Sequence, residues 1–94
     1  MAKSKHDQIA SRIARKRGGK YPPKKGADIV NAREAIEVEV DPNKFSDGIR
    51  QLQGYHKPRY LAVPNSLVPL AKKRTKGLKI GVMDENGNIV KRAG

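Results

Sequence analysis

The chain has no cysteine and no tryptophan, one phenylalanine, three tyrosines, and only nine acids against twenty-one Lys and Arg in 94 residues. Without cysteine there is neither a disulfide framework nor a thiolate zinc site. With 36% hydrophobic residues and so few aromatics, any core is thin and aliphatic. A chain of this length makes one small domain near the lower end of what folds alone, which leaves room for a ligand or a partner chain, a homodimer included, to add stability. No apolar run reaches membrane-spanning length, and "MAKSKHDQ" lacks the apolar stretch of a secretory signal. The expected location is therefore cytoplasmic, with no membrane partner.

Scarcity of acid is the strongest compositional signal. A net charge of +12 and a pI near 10.3 point to a polyanionic partner, nucleic acid above all, with DNA ahead of RNA. The basic residues gather in "RIARKRGGKYPPKK" (Arg12 to Lys25) and "KKRTKGLK" (Lys72 to Lys79), with hardly any acid among them. Candidate phosphate contacts are Arg12, Arg15, Lys16, Lys24, Lys25, Lys72, Lys73 and Arg74. The 32% charged content does not imply disorder, because the apolar residues fall into periodic blocks.

Those blocks predict an order of helix, strand, strand, helix, strand, helix and hairpin. Ser4, with Asp7 three residues on, starts a helix that Gly18-Gly19 ends, and Ile9, Ala10, Ile13 and Ala14 form its apolar stripe. Pro22 and Pro23 limit "KYPPKK" to an edge strand or loop. Strands are expected over Ala27–Asn31 and Ala35–Val40, joined by a short turn. Asp41 and Pro42 open a second helix running to about Tyr55, with Phe45, Ile49 and Leu52 inward and Gly48 as a weak point. "RYLAV" (Arg59–Val63) is a third strand, returned parallel to its neighbour by the crossover helix. A short helix in "NSLVPLAKKRT" ends before Gly77, and Asn86-Gly87 signals a two-residue hairpin turn between "LKIGVM" and "NIVKR". The fold class is α/β: a small mixed sheet flanked by helices in a single domain, 1–94, with no internal repeat.

Besides Glu34 in the turn, three acids, Asp28, Glu37 and Glu39, interrupt the strands of the most sheet-like stretch, "GADIVNAREAIEVEV". Glu37 and Glu39 alternate onto one strand face, opposite Ile36, Val38 and Val40. They are the wet face of a half-buried strand, or they join Asp28 of the preceding strand as hard oxygen donors for Mg²⁺ or Mn²⁺. In "QLQGY", Gln51 and Tyr55 stand at i, i+4 on the second helix, placed to hold a phosphate or a water beside the acids or simply to sit at the core rim. His6 and His56 read as isolated, the serines occupy helical or cap positions, and no glycine run makes a phosphate loop.

"GADIV", then "AIEVEV", then a helix with "QLQGY" resembles the motif series of the PD-(D/E)XK nuclease superfamily. It is most similar to the RecB-like branch with a Gln-x-x-x-Tyr helix signature. The resemblance spans Ser4 to about Val63 and implies a restriction-endonuclease-like core and Mg²⁺- or Mn²⁺-dependent phosphodiester hydrolysis. By the resemblance, Asp28 and Glu37 are metal ligands, and Gln51 and Tyr55 are the helix signature. Ala27 replaces the Pro of the name-giving motif. Glu39 stands where the superfamily usually has Lys, as a further ligand or a base. Two other readings stay open: a non-catalytic nucleic-acid binder on the same fold, and a basic ribonucleoprotein or assembly protein.

Overall fold

The computed structural model describes residues 4–21 and 26–94. Three helices and five strands follow in the order α1 (Lys5–Arg17), β1 (Ile29–Val30), β2 (Ala35–Val38), α2 (Phe45–Leu52), β3 (Arg59–Ala62), α3 (Val68–Arg74), β4 (Gly81–Met83) and β5 (Ile89–Lys91). Short 3₁₀ turns at Pro42–Lys44 and Asn65–Leu67 lead into α2 and α3. The strands form one mixed sheet in sequence order, antiparallel at both edges and parallel across β2, β3 and β4. Both parallel steps need a crossover, and α2 and α3 supply them.

The caps follow sequence chemistry. Ser4 Oγ accepts from Asp7 N at 3.1 Å and starts α1, and Gly18 closes it by donating to Ala14 O at 2.8 Å. Asp41 Oδ1 accepts from Asn43 N at 2.9 Å, with Pro42 in the first turn, but this turn is 3₁₀ and the α-helix begins only at Phe45. The second helix also stops at Leu52, short of the expected Tyr55. There Gln53 N is shared between Ile49 O and Arg50 O, and a further turn carries Tyr55 N to Leu52 O ahead of Pro58.

Alternation along the strands separates two apolar layers. Ile36, Val38, Tyr60 and Ala62 face α1, where Ile9, Ala10 and Ile13 cover them. Ala35, Leu61, Val63 and Val82 face the opposite side, against Phe45 and Leu52 of α2 and Ala71 of α3. Each layer is built mostly from aliphatic side chains, with Phe45 the largest fully buried one.

The β4–β5 hairpin is present, but its turn differs from the two-residue form that Asn86-Gly87 suggests. Asp84 N donates to Asn88 O and Gly87 N donates to Asp84 O, both at 3.0 Å, which encloses a longer loop. Among the described residues only glycines take positive φ, so Asn86 lacks the left-handed conformation a type I′ turn requires. Gly87, at φ 81°, takes it instead, as in a type I turn with a trailing glycine bulge. Asp84 Oδ1 decides the outcome by accepting from both Asn86 N and Asn88 N.

One buried ion pair ties α1 to the β1–β2 turn. Arg17 Nε and Nη2 donate to the two carboxylate oxygens of Glu34 at 2.6 and 2.9 Å, and the Glu34 side chain is only 4% exposed. Burial pushes the Glu34 pKa up, but hydrogen bonds from Arg17 and Asn31 and the charges of Arg17 and Arg33 outweigh it and hold the group below its ordinary 4.5. A depressed carboxyl contributes stability above its unfolded pKa and loses it as pH falls through the folded value. Glu34→Gln is therefore expected to cost about 2 kcal/mol near neutrality. Urea unfolding at neutral and acid pH checks this, and the gap from wild type should close once Glu34 protonates.

Candidate functional site

The β1–β2 ladder breaks off one bonded pair early. Ile29 pairs with Ile36 and Val30 with Ala35, and Asn31 N donates to Glu34 O at 3.0 Å. Bonded pairs alternate in an antiparallel ladder, so after 31/34 and 29/36 the next would join Ala27 to Val38. Side chains take those donors instead. Val38 N donates to Asp28 Oδ2 at 2.9 Å, and Ala27 N donates to Tyr55 Oη at 2.9 Å. Asp28 N in turn donates to Glu37 Oε1 at 3.2 Å. Asp28, Glu37 and Tyr55 thus meet where the two strands diverge.

Glu37 lies on the α2 side of the sheet, where the helix comes close because position 48 has no side chain. A Cβ on Gly48 would stand 3.2 Å from both Glu37 Cγ and Leu61 Cδ1. The weak point of the helix is thus what lets it approach the sheet. Burial first, then the charge of Asp28, and less strongly that of Glu39, push the Glu37 carboxyl from 4.5 up to about 7, against the opposing Asp28 N–H bond and the charge of His6.

His6 belongs to this cluster, contrary to its reading as isolated. Its Nε2 lies 3.1 Å from Asp28 Oδ2 and its Nδ1 3.2 Å from Tyr21 Oη, while the Tyr21 hydroxyl also donates to Asp7 Oδ1. Burial and the hydrogen bond to Asp7 raise the Tyr21 pKa, so the phenol keeps its proton. The signal for His6 lay in spacing: it precedes Ile9, Ala10 and Ile13 by three, four and seven residues, on the buried face of α1.

The remaining expected residues divide. Gln51 is exposed, its Nε2 3.9 Å from where a Cβ on Gly26 would stand. Tyr55 follows the end of α2, yet its hydroxyl reaches the neighbouring Ala27. The charge of Glu39 bears on Glu37, but its carboxylate is engaged locally. The β2 ladder ends at Val38, and Glu39 Oε1 accepts from Val40 N and Asp41 N at 3.1 and 3.2 Å, tying the chain into the α2 entry turn. Among the described residues no three His, Asp or Glu side chains are grouped so as to hold a metal ion.

The basic candidates do not form one surface. Arg12, Arg15 and Lys16 lie on α1, whereas Lys72, Lys73 and Arg74 lie on α3, across the sheet. Arg12 donates to Glu85 O and Asn86 Oδ1, Lys16 bonds Asn88 Oδ1, and Arg74 reaches Ser46 Oγ. Lys24 and Lys25, like Pro22 and Pro23 of the expected edge strand or loop, lie outside the described residues. No described helix is long and apolar enough to cross a membrane.

A carboxyl raised in the fold binds a proton that the unfolded chain releases between 4.5 and about 7, so its contribution to stability falls as pH rises through that window. Glu37→Gln keeps the acceptor for Asp28 N and removes the charge. It is expected to flatten this decline and to stabilise the fold at pH 8 by roughly 2 kcal/mol. Thermal and urea melts of both proteins from pH 4.5 to 8 measure it.

No protein family, curated protein or solved structure matches this chain.

Proposed function

We propose that the protein binds nucleic acid and hydrolyses phosphodiester bonds with Mg²⁺ or Mn²⁺ held by Asp28 and Glu37, on a core of the restriction-endonuclease type. The observation that carries this reading is the Asp28–Glu37 pair itself: two carboxylates joined through Asp28 N at the open end of a hairpin, with Glu37 buried and the Asp28 charge adding to the cost of charging it. Such a pair suits a small hard cation, since Mg²⁺ is commonly held by one or two carboxylates and completes its shell with water and substrate phosphate. When bound, the ion polarises the scissile phosphate and supplies an activated water.

The chain's own residues prepare the site. Val38 N–H and the His6 ring fix the Asp28 carboxylate, and Asp28 N–H fixes Glu37. Tyr55, having accepted from Ala27 N, still has its hydroxyl proton to offer a phosphate oxygen, and exposed Gln51 has its amide. The basic surface supplies sequence-independent attraction to the backbone.

One observation favours the non-catalytic binder as a second reading. Glu39, where the resembling superfamily usually carries Lys, is occupied by its own backbone donors. Turnover separates the two. The protein should cleave DNA or RNA in Mg²⁺ or Mn²⁺ and stop in chelator, and Asp28→Asn or Glu37→Gln should abolish cleavage while binding persists. As a readout free of activity, Mn²⁺ at a hundredfold excess over its dissociation constant should stabilise the wild type by about 2.7 kcal/mol, and Glu37→Gln by much less. Full cleavage by both variants would remove the site assignment. Metal binding without turnover would favour the second reading.

A further inference from the structure

A groove to which the basic sequence clusters contribute only Lys79 runs along the N-terminal end of β3 and the end of β5. One compartment, of about 740 Å³, is lined by Pro58, Tyr60, Lys91 and Arg92 among others. A second, of about 480 Å³, shares Pro58 with it and adds Tyr55, His56, Lys57, Arg59 and Lys79. Five Lys and Arg side chains line the two compartments, and no Asp or Glu does.

None of these five belongs to an ion pair among the described residues, where the pairs use His6, Arg12, Arg17 and Arg50. Three are held by neutral backbone oxygens: Lys57 Nζ by Asn31 O at 2.8 Å, Arg59 Nη2 by Lys79 O at 3.3 Å, and Lys91 Nζ by Thr75 O and Ile80 O at 3.0 and 2.7 Å. Carbonyl oxygens fix the position of an ammonium or guanidinium without cancelling its charge. Burial also lowers the Lys91 pKa. By contrast, Arg12 on α1 lies 3.9 Å from a Glu85 carboxylate oxygen and spends hydrogen bonds on the β4–β5 turn.

Tyr55 connects this groove with the acidic pair. It lines the second compartment, while its hydroxyl accepts from Ala27 N, one residue from Asp28. The exposed Pro58 and His56 add flat or apolar surface between the cations, the mixture on which bases and sugars pack while charges track a backbone.

We infer that the groove bounded by Lys57, Arg59, Lys79, Lys91 and Arg92 is the principal seat of a nucleic-acid strand, leading its phosphodiester backbone past Tyr55 toward Asp28 and Glu37. The inference rests on the reading that the partner is nucleic acid, and it moves the main contact away from α1 and α3. Lys79 and Arg92 are exposed and are the groove cations least engaged in the fold.

The test compares Lys79→Gln/Arg92→Gln with Lys72→Gln/Lys73→Gln, which removes the same charge from α3. Fluorescence anisotropy follows binding to labelled single-stranded DNA, single-stranded RNA and duplex DNA between about 50 and 200 mM salt. The groove variant should keep the wild-type melting temperature, lose about tenfold or more in affinity, and flatten the log K against log salt slope by about 1.4 on single strands or 1.8 on duplex. The α3 variant should change the slope far less. Equal losses in the two variants, or an unchanged groove variant beside a wild type that binds, would overturn the groove and leave the nucleic-acid reading standing. A wild type that binds none of the three nucleic acids would overturn both. Lys57→Gln in the same assay gives an independent check, since it removes a groove charge at another position.

Discussion

Two backbone N–H groups, those of Ala27 and Val38, organise the candidate site. Antiparallel pairing would join their residues, but the strands diverge first, and a buried donor left without a partner costs about as much as a lost hydrogen bond. Asp28 and Tyr55 supply the acceptors. Acid on a strongly basic protein's most sheet-like segment thereby acquires a physical reason beyond a wet face: the Asp28 carboxylate completes a ladder, and Glu37 accepts from the Asp28 N–H beside it. Completing it with side chains leaves carboxylate oxygens where a closed ladder would have only amides.

The rest of the fold holds that gap open. Helix α1 is fastened to the hairpin at both ends, through His6 to Asp28 near its start and through Arg17 to Glu34 at its finish. The two attachments differ in kind. Arg17 and Glu34 are complementary and bidentate, and the acid is held ionised. The Glu37 carboxyl is raised, by burial first and then by the charge of Asp28. From the opposite layer, Gly48 lets α2 approach close enough to shield Glu37 from water, which increases the cost of charging it. One hairpin thus carries a complementary charge pair at its turn and two carboxylates at its open end, and the second is where the metal is proposed.

Much of this was legible in the sequence because it depends on local rules. The Ser4 cap, the inward stripe of α1, Asp41 with Pro42 before α2, and the parallel return of β3 follow from capping chemistry, periodicity and the reach of a crossover. What was not legible depended on side chains competing with the backbone. Asn86-Gly87 favours a two-residue turn until Asp84 captures two N–H groups and shifts the left-handed residue to Gly87 alone. Glu39 keeps to the Glu37 face, with Val40 packed in the opposite layer, but its Oε1 is captured by the Val40 and Asp41 N–H groups of the turn. His6 was hidden because its partner lies 22 residues away, although its phase on α1 already turned it inward. The groove was hidden for a similar reason, since Lys57, Lys79 and Arg92 come from three separate segments that only the sheet assembles.

The proposed metal site depends on Asp28 and Glu37 sharing one place. Carbon-13 NMR of the Glu side-chain carboxyls, followed through a pH titration with and without Mg²⁺, observes this directly. The account predicts that one glutamate, assigned to Glu37 by its loss in Glu37→Gln, titrates near 7 without metal. Its midpoint should move to lower pH as Mg²⁺ is added, because the cation takes the place of the proton. A Glu37 that titrates near its ordinary 4.5 and ignores Mg²⁺ would contradict this, leaving Asp28 as a ladder substitute and Glu37 as an acceptor for its N–H.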